Sequence, residues 1–311
     1  MSSKLAAVLA LSALSASRLS TCRSPGEASG DASQSQADKV VVLKGIDTSE
    51  LTSRERTDWS RAVSELLAPC ADQPVSLEQC VNDARPCAAC VPAARYLLEH
   101  VRRGKTRAQL DAAYRARFAP GEVRSLEIGD SPSLGAPNAP VVIVEWADFE
   151  CPACAAVKPV LSKLLEQHPA GVRLVFKHFP LSMHPNAEKA ARAAVAAGRQ
   201  GKFWQMHATL FESQGDLSTE SVEKLAQKIG LDLARFRQDR DSEATADAVA
   251  RDRKQGEKLS LASTPSLFIN GRLFPATTDP EQDLTDWVEL EFELARRASP
   301  KKPAPSGAPA P

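Results

Sequence analysis

A run of mostly apolar residues, Val141 to Phe149, leads directly into Cys151-Pro152-Ala153-Cys154, and helical spacing begins at once beyond it. Val157, Val160, Leu161, Leu164 and Leu165 recur at three- and four-residue intervals, the apolar stripe of a helix. The cysteine pair therefore stands where a strand hands over to a helix. Proline suits the first helical position, because that amide has no intrahelical partner and the ring fixes a helical φ in advance. Cys151 is then expected to face the free amides of a helix N-terminus. Those amides and the helix dipole favour a negative charge, which stabilises a thiolate. Cys154, one turn further in, is placed to attack a mixed disulfide at Cys151 and release the product. The competing readings are an inert disulfide or half of a zinc site. No cysteine follows Cys154, so the downstream Cys-x-x-Cys that would complete a zinc site is missing.

A length of 311 residues suggests two domains, at about 150 residues each. A net charge of zero gives no sign of a nucleic-acid partner. Residues 1–22 read as a secretory signal: Lys4 precedes the uncharged run Leu5 to Leu11, too short to span a bilayer. Leu19-Ser20-Thr21-Cys22 has the outline of a bacterial lipobox, with cleavage before Cys22 and acylation of its sulfur as a lipid anchor. Arg18 and Thr21 depart from that pattern, and ordinary cleavage near Ser15 to Ser17 stays open beside it. Cysteine number bears on the choice, since seven is odd and acylating Cys22 leaves six. Residues 23–38, rich in Ser, Gly, Ala and Gln, read as a flexible tether, and residues 299–311 as a disordered tail.

Residues 39–120 carry a helical pattern and four cysteines. Thr52-x-x-Glu55, Ser76-x-x-Gln79 and Thr106-x-x-Gln109 are capping boxes. Pro92 opens a run through Tyr96, Leu97, His100 and Val101 that Gly104 closes, and Pro120 stops the last helix. His100 reads as packed or surface rather than as a ligand. Cys70, Cys80, Cys87 and Cys90 are expected to pair in an oxidising compartment, bracing a domain too small for a large core. Three connectivities remain open. Cys87-Ala88-Ala89-Cys90 also reads as a second redox pair, and that alternative stands beside the structural one.

Residues 121–298 complete an α/β unit. The connector Gly121 to Pro140 holds a short strand candidate at Ser125 to Ile128, and Val172 to Phe176 reads as a central strand. Pro185 to Phe211 and Ser218 to Ser260 read as a helical insertion whose Phe203, Trp204, Met206, Leu210 and Phe211 belong to the core. Asn270-Gly271, flanked by apolar runs, marks a hairpin. Asp283 to Ala295 should cover the sheet. His178 and His184 invite a cysteine-protease reading, but such an enzyme has no use for Cys154. No nucleotide fingerprint or phosphate loop is present, so no cofactor beyond a redox-active disulfide is expected and no metal is implied.

Several separated pieces, "VVIVEWADFECPAC", "VRLVFKHFPL" with "HPNAEKAARAA", "GKFWQMHATLF" and "TPSLFINGR", together resemble the DsbA-like branch of the thioredoxin superfamily. The resemblance implies a thioredoxin fold with a helical insertion, preceded here by a small all-α cysteine-containing domain. It implies that Pro265 is cis and lies against the cysteine pair, that Thr264 before it tunes that pair, and that Glu145 is a buried acid relaying protons to Cys154. A carboxylate inside an apolar strand should also titrate near neutrality on physical grounds, with a plain salt-bridged acid as the alternative. The implied activity is disulfide formation in exported proteins, acting on protein thiols in the bacterial periplasm or cell envelope and recycled by a membrane redox partner. A reductase or isomerase, and a docking module with a closed disulfide, are the alternatives. Ala153 stands where the best-known members carry a thiolate-stabilising histidine, which leaves the direction of electron flow open. A shorter likeness, residues 85–118, is to the helical hairpin of CcmH-type proteins, in which a Cys-x-x-Cys precedes two helices.

Overall fold

The structure, a computed structural model, describes residues 40–298. The expected signal, Cys22, the tether and the tail lie outside the described residues. Four helices come first: α1 (Ser53–Glu65), α2 (Leu77–Asn82), α3 (Cys90–Arg102) and α4 (Arg107–Phe118). All three capping boxes form, with Thr52, Ser76 and Thr106 each accepting from the backbone amide three residues on. Helix α3 begins at Cys90 rather than at Pro92, because a proline within the first turn still forfeits no intrahelical bond.

The second part is built on a sheet of five strands in the order β1-β3-β2-β4-β5. Strand β2 (Val141–Ala147) runs through helix α5 (Pro152–Gln167) into β3 (Val172–His178). The two strands pair in parallel, with Val141 opposite Val172 and Ala147 opposite His178. Helices α6 (Ala187–Gly198), α7 (Phe203–Glu212), α8 (Thr219–Lys228), α9 (Leu233–Asp241) and α10 (Glu243–Lys258) then intervene before β4 (Ser266–Ile269) and β5 (Arg272–Leu273). Strand β4 lies antiparallel to β2, so Glu145 faces Leu267 and Trp146 faces Ser266. The turn at Asn270-Gly271 has positive φ at both residues, as a two-residue hairpin loop requires.

The short edge strand β1 is Ser133–Gly135, antiparallel to β3, and not Ser125 to Ile128. Two carbonyls of the latter segment are taken by side chains: Gln255 donates to the Glu127 oxygen and Lys177 to the Ile128 oxygen. Carbonyls satisfied in this way need no ladder partner.

The last helix, α11 (Pro280–Ala298), contributes to two cores. Leu284, Trp287 and Val288 pack with Val141, Ile143 and Leu164 against the sheet, while Leu290 joins Trp59, Leu97 and Tyr114 of the helical region. Arg117 of α4 and Glu291 of α11 form an ion pair at 2.7 Å in which both side chains are buried. Helix α11 therefore joins the core of the helical region to that of the sheet.

Candidate active site

The site is assembled at the C-terminal end of β2. Cys151 is the N-cap of α5, with extended backbone (φ −76°, ψ 118°), and Pro152 takes the first helical position. No side chain caps this helix, so its first amides remain available to the sulfur. Cys151 and Cys154 are both buried free thiols, and the Cys154 amide donates to the Cys151 carbonyl at 3.1 Å.

The peptide bond between Thr264 and Pro265 is cis. It brings the Thr264 carbonyl to 3.3 Å from Cys151 Sγ. The Thr264 hydroxyl is buried and otherwise unpartnered. The Cys151 thiol is pulled down to about 5. A hydrogen bond from Cys154 is the largest cause, and the Thr264 hydroxyl and the amides of Cys154 and Ala153 add to it against the cost of burial. Cys154 shows the converse: donation to Cys151, burial and the charge of Glu145 hold its thiol well above the usual thiol range. One sulfur is thus an anion near neutral pH and the other a proton carrier.

Glu145 is buried in β2, and burial, followed by the Cys151 charge, raises it to about 8. It borders a cavity of about 150 Å³ that Lys158, Ser162 and His207 also line. The site residues expected from the sequence, Cys151, Cys154, Glu145, Thr264 and Pro265, therefore converge on one end of the sheet.

Two positioning groups, Asp148 and Gln214, had no role in the sequence reading, and a third, His184, entered it only as a discarded protease histidine. Asp148 is buried and accepts from the Glu150 amide at 2.7 Å, the Leu181 amide at 2.8 Å and His184 Nδ1 at 2.7 Å. Gln214, in the connection between α7 and α8, donates to the carbonyls of Phe149 at 2.7 Å and Cys151 at 2.9 Å. His184, set aside as a protease histidine, is raised above its ordinary value mainly by its bond to Asp148, with added support from the Cys151 charge. An acid at the end of an apolar strand is a readable signal for Asp148. Nothing local marks Gln214, whose partners lie 65 and 63 residues away. His178 sits in the core with both ring nitrogens unpartnered, and burial lowers it to about 4.

The N-terminal cysteines pair as Cys70–Cys87 and Cys80–Cys90. Cys87 and Cys90 are thus each bonded to a more distant partner, the arrangement of the structural-disulfide alternative, and are not joined to each other in this structure. Two groups among the described residues bring three ligand-type atoms within 4.8 Å of one another: Cys80, Cys87 and Cys90, and His100, Asp283 and Asp286. The sulfurs are consumed by disulfides, and the carboxylates are paired with Arg103 and Lys105.

A family model described as Thioredoxin matches residues 127–289. The chain is 41% identical over 139 residues to the Na(+)/H(+) antiporter NhaA 3 of Salinispora tropica, covering 44% of this chain and 21% of that protein. It thus spans about a fifth of the length of the curated relatives it matches. Among the described residues no helix is long and apolar enough to cross a membrane. In structure the chain is similar to oxidised BdbD from Bacillus subtilis, with a TM-score of 0.50 and 23% identity over 56% of this chain and 97% of that one. A thioredoxin-like oxidoreductase from Silicibacter pomeroyi aligns at 28% identity with a TM-score of 0.48, covering 60% of this chain and 98% of the other.

Proposed function

This chain belongs to the thioredoxin family, in the DsbA-like form that carries a helical insertion between β3 and β4, and from that premise we propose that it is an exported thiol-disulfide oxidoreductase that forms disulfides in other proteins. The observation that carries this reading is the pairing of a Cys151 thiol lowered to about 5 with a neighbouring Cys154 thiol raised above the usual range. A substrate thiolate attacks Cys151 Sγ of the oxidised pair, and the S–S bond breaks toward Cys154. The Cys154 sulfur takes the proton that Glu145 holds below about pH 8. A second substrate thiolate then attacks the substrate sulfur of the mixed disulfide and expels Cys151 as a thiolate. The substrate loses two electrons and two protons; the pair gains both electrons, Cys154 keeps one proton and the other passes to solvent, because Cys151 leaves as a thiolate. A low pKa makes Cys151 a good leaving group, which favours oxidation of the substrate.

Thr264 and Pro265 offer backbone groups beside Cys151 to an extended substrate segment. The bond from His184 to Asp148 favours the protonated ring, a charge of the sign that Ala153 cannot supply between the cysteines. A membrane redox partner would regenerate the disulfide: its own disulfide is attacked by the Cys151 thiolate, and Cys154, losing its proton to Glu145, closes the pair. Two disulfides in the helical region support an oxidising, extracytoplasmic compartment.

Equilibration in graded glutathione buffers with trapping of free thiols tests the direction. The expected result is a Cys151–Cys154 pair that is already reduced in mildly oxidising buffer; a pair reduced only under strongly reducing conditions would overturn the oxidant reading. Full dithiol oxidation of a reduced test protein by the Cys151→Ser variant would overturn the catalytic assignment itself.

A further inference from the structure

The two disulfides of the helical region are close enough to react with each other. Cys70–Cys87 and Cys80–Cys90 span Cα distances of 5.9 and 6.0 Å. The sulfurs of Cys80, Cys87 and Cys90 lie within 4.8 Å of one another, so both atoms of the second bridge are near the inner atom of the first. Cys87 and Cys90 are also wound into the same turn as the active pair. The Cys90 amide donates to the Cys87 carbonyl at 3.3 Å, as the Cys154 amide does to Cys151 at 3.1 Å.

Access is unequal. Cys70 is half-buried, whereas Cys80, Cys87 and Cys90 are buried. An external thiol can therefore reach the outer atom of one bridge first. Helix α3, which opens at Cys90, has no side-chain cap and no acidic residue in its first turn, so the positive end of its dipole is not offset by a like charge beside a released sulfur.

We propose that the two bridges form one redox unit, which accepts an electron pair from a dithiol by moving a bond onto Cys87–Cys90. A donor thiolate attacks Cys70 Sγ, a donor–Cys70 disulfide forms, and the S–S bond to Cys87 breaks with its electron pair left on the Cys87 thiolate. That thiolate attacks Cys90 Sγ, forms the Cys87–Cys90 bond and expels Cys80 as a thiolate. The donor's second thiolate attacks its own sulfur in the mixed disulfide and releases Cys70. The donor ends as a disulfide, Cys70 and Cys80 end as thiols carrying its two protons, and the number of bridges in the unit falls from two to one. The internal step outruns attack by a second external thiol, because a sulfur held within 4.8 Å acts at an effective concentration far above that of a dissolved reagent.

The experiment uses the full chain with Cys151→Ser and Cys154→Ser, so that new thiols arise from the helical region. The protein is titrated with dithiothreitol, quenched in acid, labelled with iodoacetamide and mapped by mass spectrometry without further reduction. The expected two-electron product carries label on Cys70 and Cys80, with Cys87 and Cys90 joined inside one peptide. Label on Cys70 with Cys87, on Cys80 with Cys90 or on Cys87 with Cys90 would overturn the proposal, as would the appearance of all four thiols without a two-thiol species. Adding Cys70→Ser and Cys80→Ser gives a second test: provided circular dichroism shows a folded chain, Cys87 and Cys90 should close on each other in oxidised glutathione. Their persistence there as free thiols would overturn the bond shift. If that variant does not fold, the titration decides alone.

Discussion

Cys151 Sγ lies 3.3 Å from the carbonyl oxygen of Thr264, a residue 113 positions later in the chain. The contact joins the N-cap of α5 to the residue before Pro265, and it places the buried Thr264 hydroxyl where the Cys151 thiolate is its available partner. Thr264→Val keeps the shape and removes that donor. A hydrogen bond to a charged group contributes about 1.5 kcal/mol or more, and one pKa unit corresponds to about 1.4 kcal/mol. The midpoint for alkylation of Cys151 should therefore rise from about 5 by about one pH unit. An unchanged midpoint would show that the hydroxyl does not serve the sulfur.

Glu145 gives a pH dependence whose sign follows from its burial. Its folded-state value of about 8 lies above the ordinary 4.5. Below 4.5 both folded and unfolded chains hold the proton, and no cost arises. As pH rises from 4.5 to about 8 the unfolded chain releases the proton and the folded chain keeps it, so stability falls across that window and levels off above it. Glu145→Gln should remove this slope and raise stability at pH 7 by on the order of 3 kcal/mol, less the cost of burying the amide. Because burial is the main cause, the slope should persist in the oxidised protein. The same variant should slow closure of the pair by Cys154, by about a hundredfold for a lost proton acceptor, and abolish the limb near pH 8 in its rate profile. Denaturant melts across pH and stopped-flow reoxidation check the two effects separately.

Legibility in the sequence followed the range of the interactions. The handover from β2 to α5, the capping boxes at Thr52, Ser76 and Thr106, and the Asn270-Gly271 turn are local, with each signal complete within a few residues. Cys151, Cys154 and Glu145 belong to that class, since a cysteine pair and an acid in an apolar strand carry their own marks. The edge strand was misplaced because Ser133–Gly135 offers only three residues, and nothing nearby shows that side chains from Gln255 and Lys177 satisfy the segment before it. The disulfide connectivity was open for a similar reason: four sulfurs converge, and only the packing of α1, α2 and α3 decides which pairs form. Asp148 and Gln214 were not legible as a unit because the groups that hold the loop come from separate stretches: Asp148 takes Leu181 and His184 from the connection between β3 and α6, and Gln214 reaches it from within the helical insertion, between α7 and α8.

Gln214 tests how far that insertion sets the site. Its amide donates to the carbonyls of both Phe149 and Cys151, so Gln214→Leu leaves the Phe149 oxygen without that donor, while the Cys151 oxygen keeps the amides of Cys154 and Ala155. The loss should cost about 1–3 kcal/mol for an oxygen that water cannot reach. If the loop shifts to recover partners, Cys151 moves off the start of α5 and its alkylation midpoint rises. Thermal melts together with that midpoint distinguish a purely structural role, in which stability alone changes, from positioning, in which both change.

The pair formed by Arg117 and Glu291 joins α4 to α11, with its charges 2.7 Å apart and both side chains under a tenth exposed. Arg117 also lies over the rings of Phe118 and Trp287, 5.1 and 5.6 Å from their centres, and Asn270 donates to the second carboxylate oxygen of Glu291 at 3.0 Å. Removing the arginine leaves a buried carboxylate with one remaining donor, so Arg117→Met should destabilise the protein by about 3–5 kcal/mol. Pairing it with Glu291→Gln removes the orphaned charge and keeps an acceptor for Asn270. The double variant should recover most of the loss, because the penalty lies in the unpaired charge rather than in the absence of attraction. Chemical denaturation of the wild type, both single variants and the double variant gives the coupling directly, and strictly additive losses would show that the charges do not act as a pair. Because α11 also packs against the sheet, unfolding followed separately at the helical region and at Trp287 should remain a single transition in all four proteins.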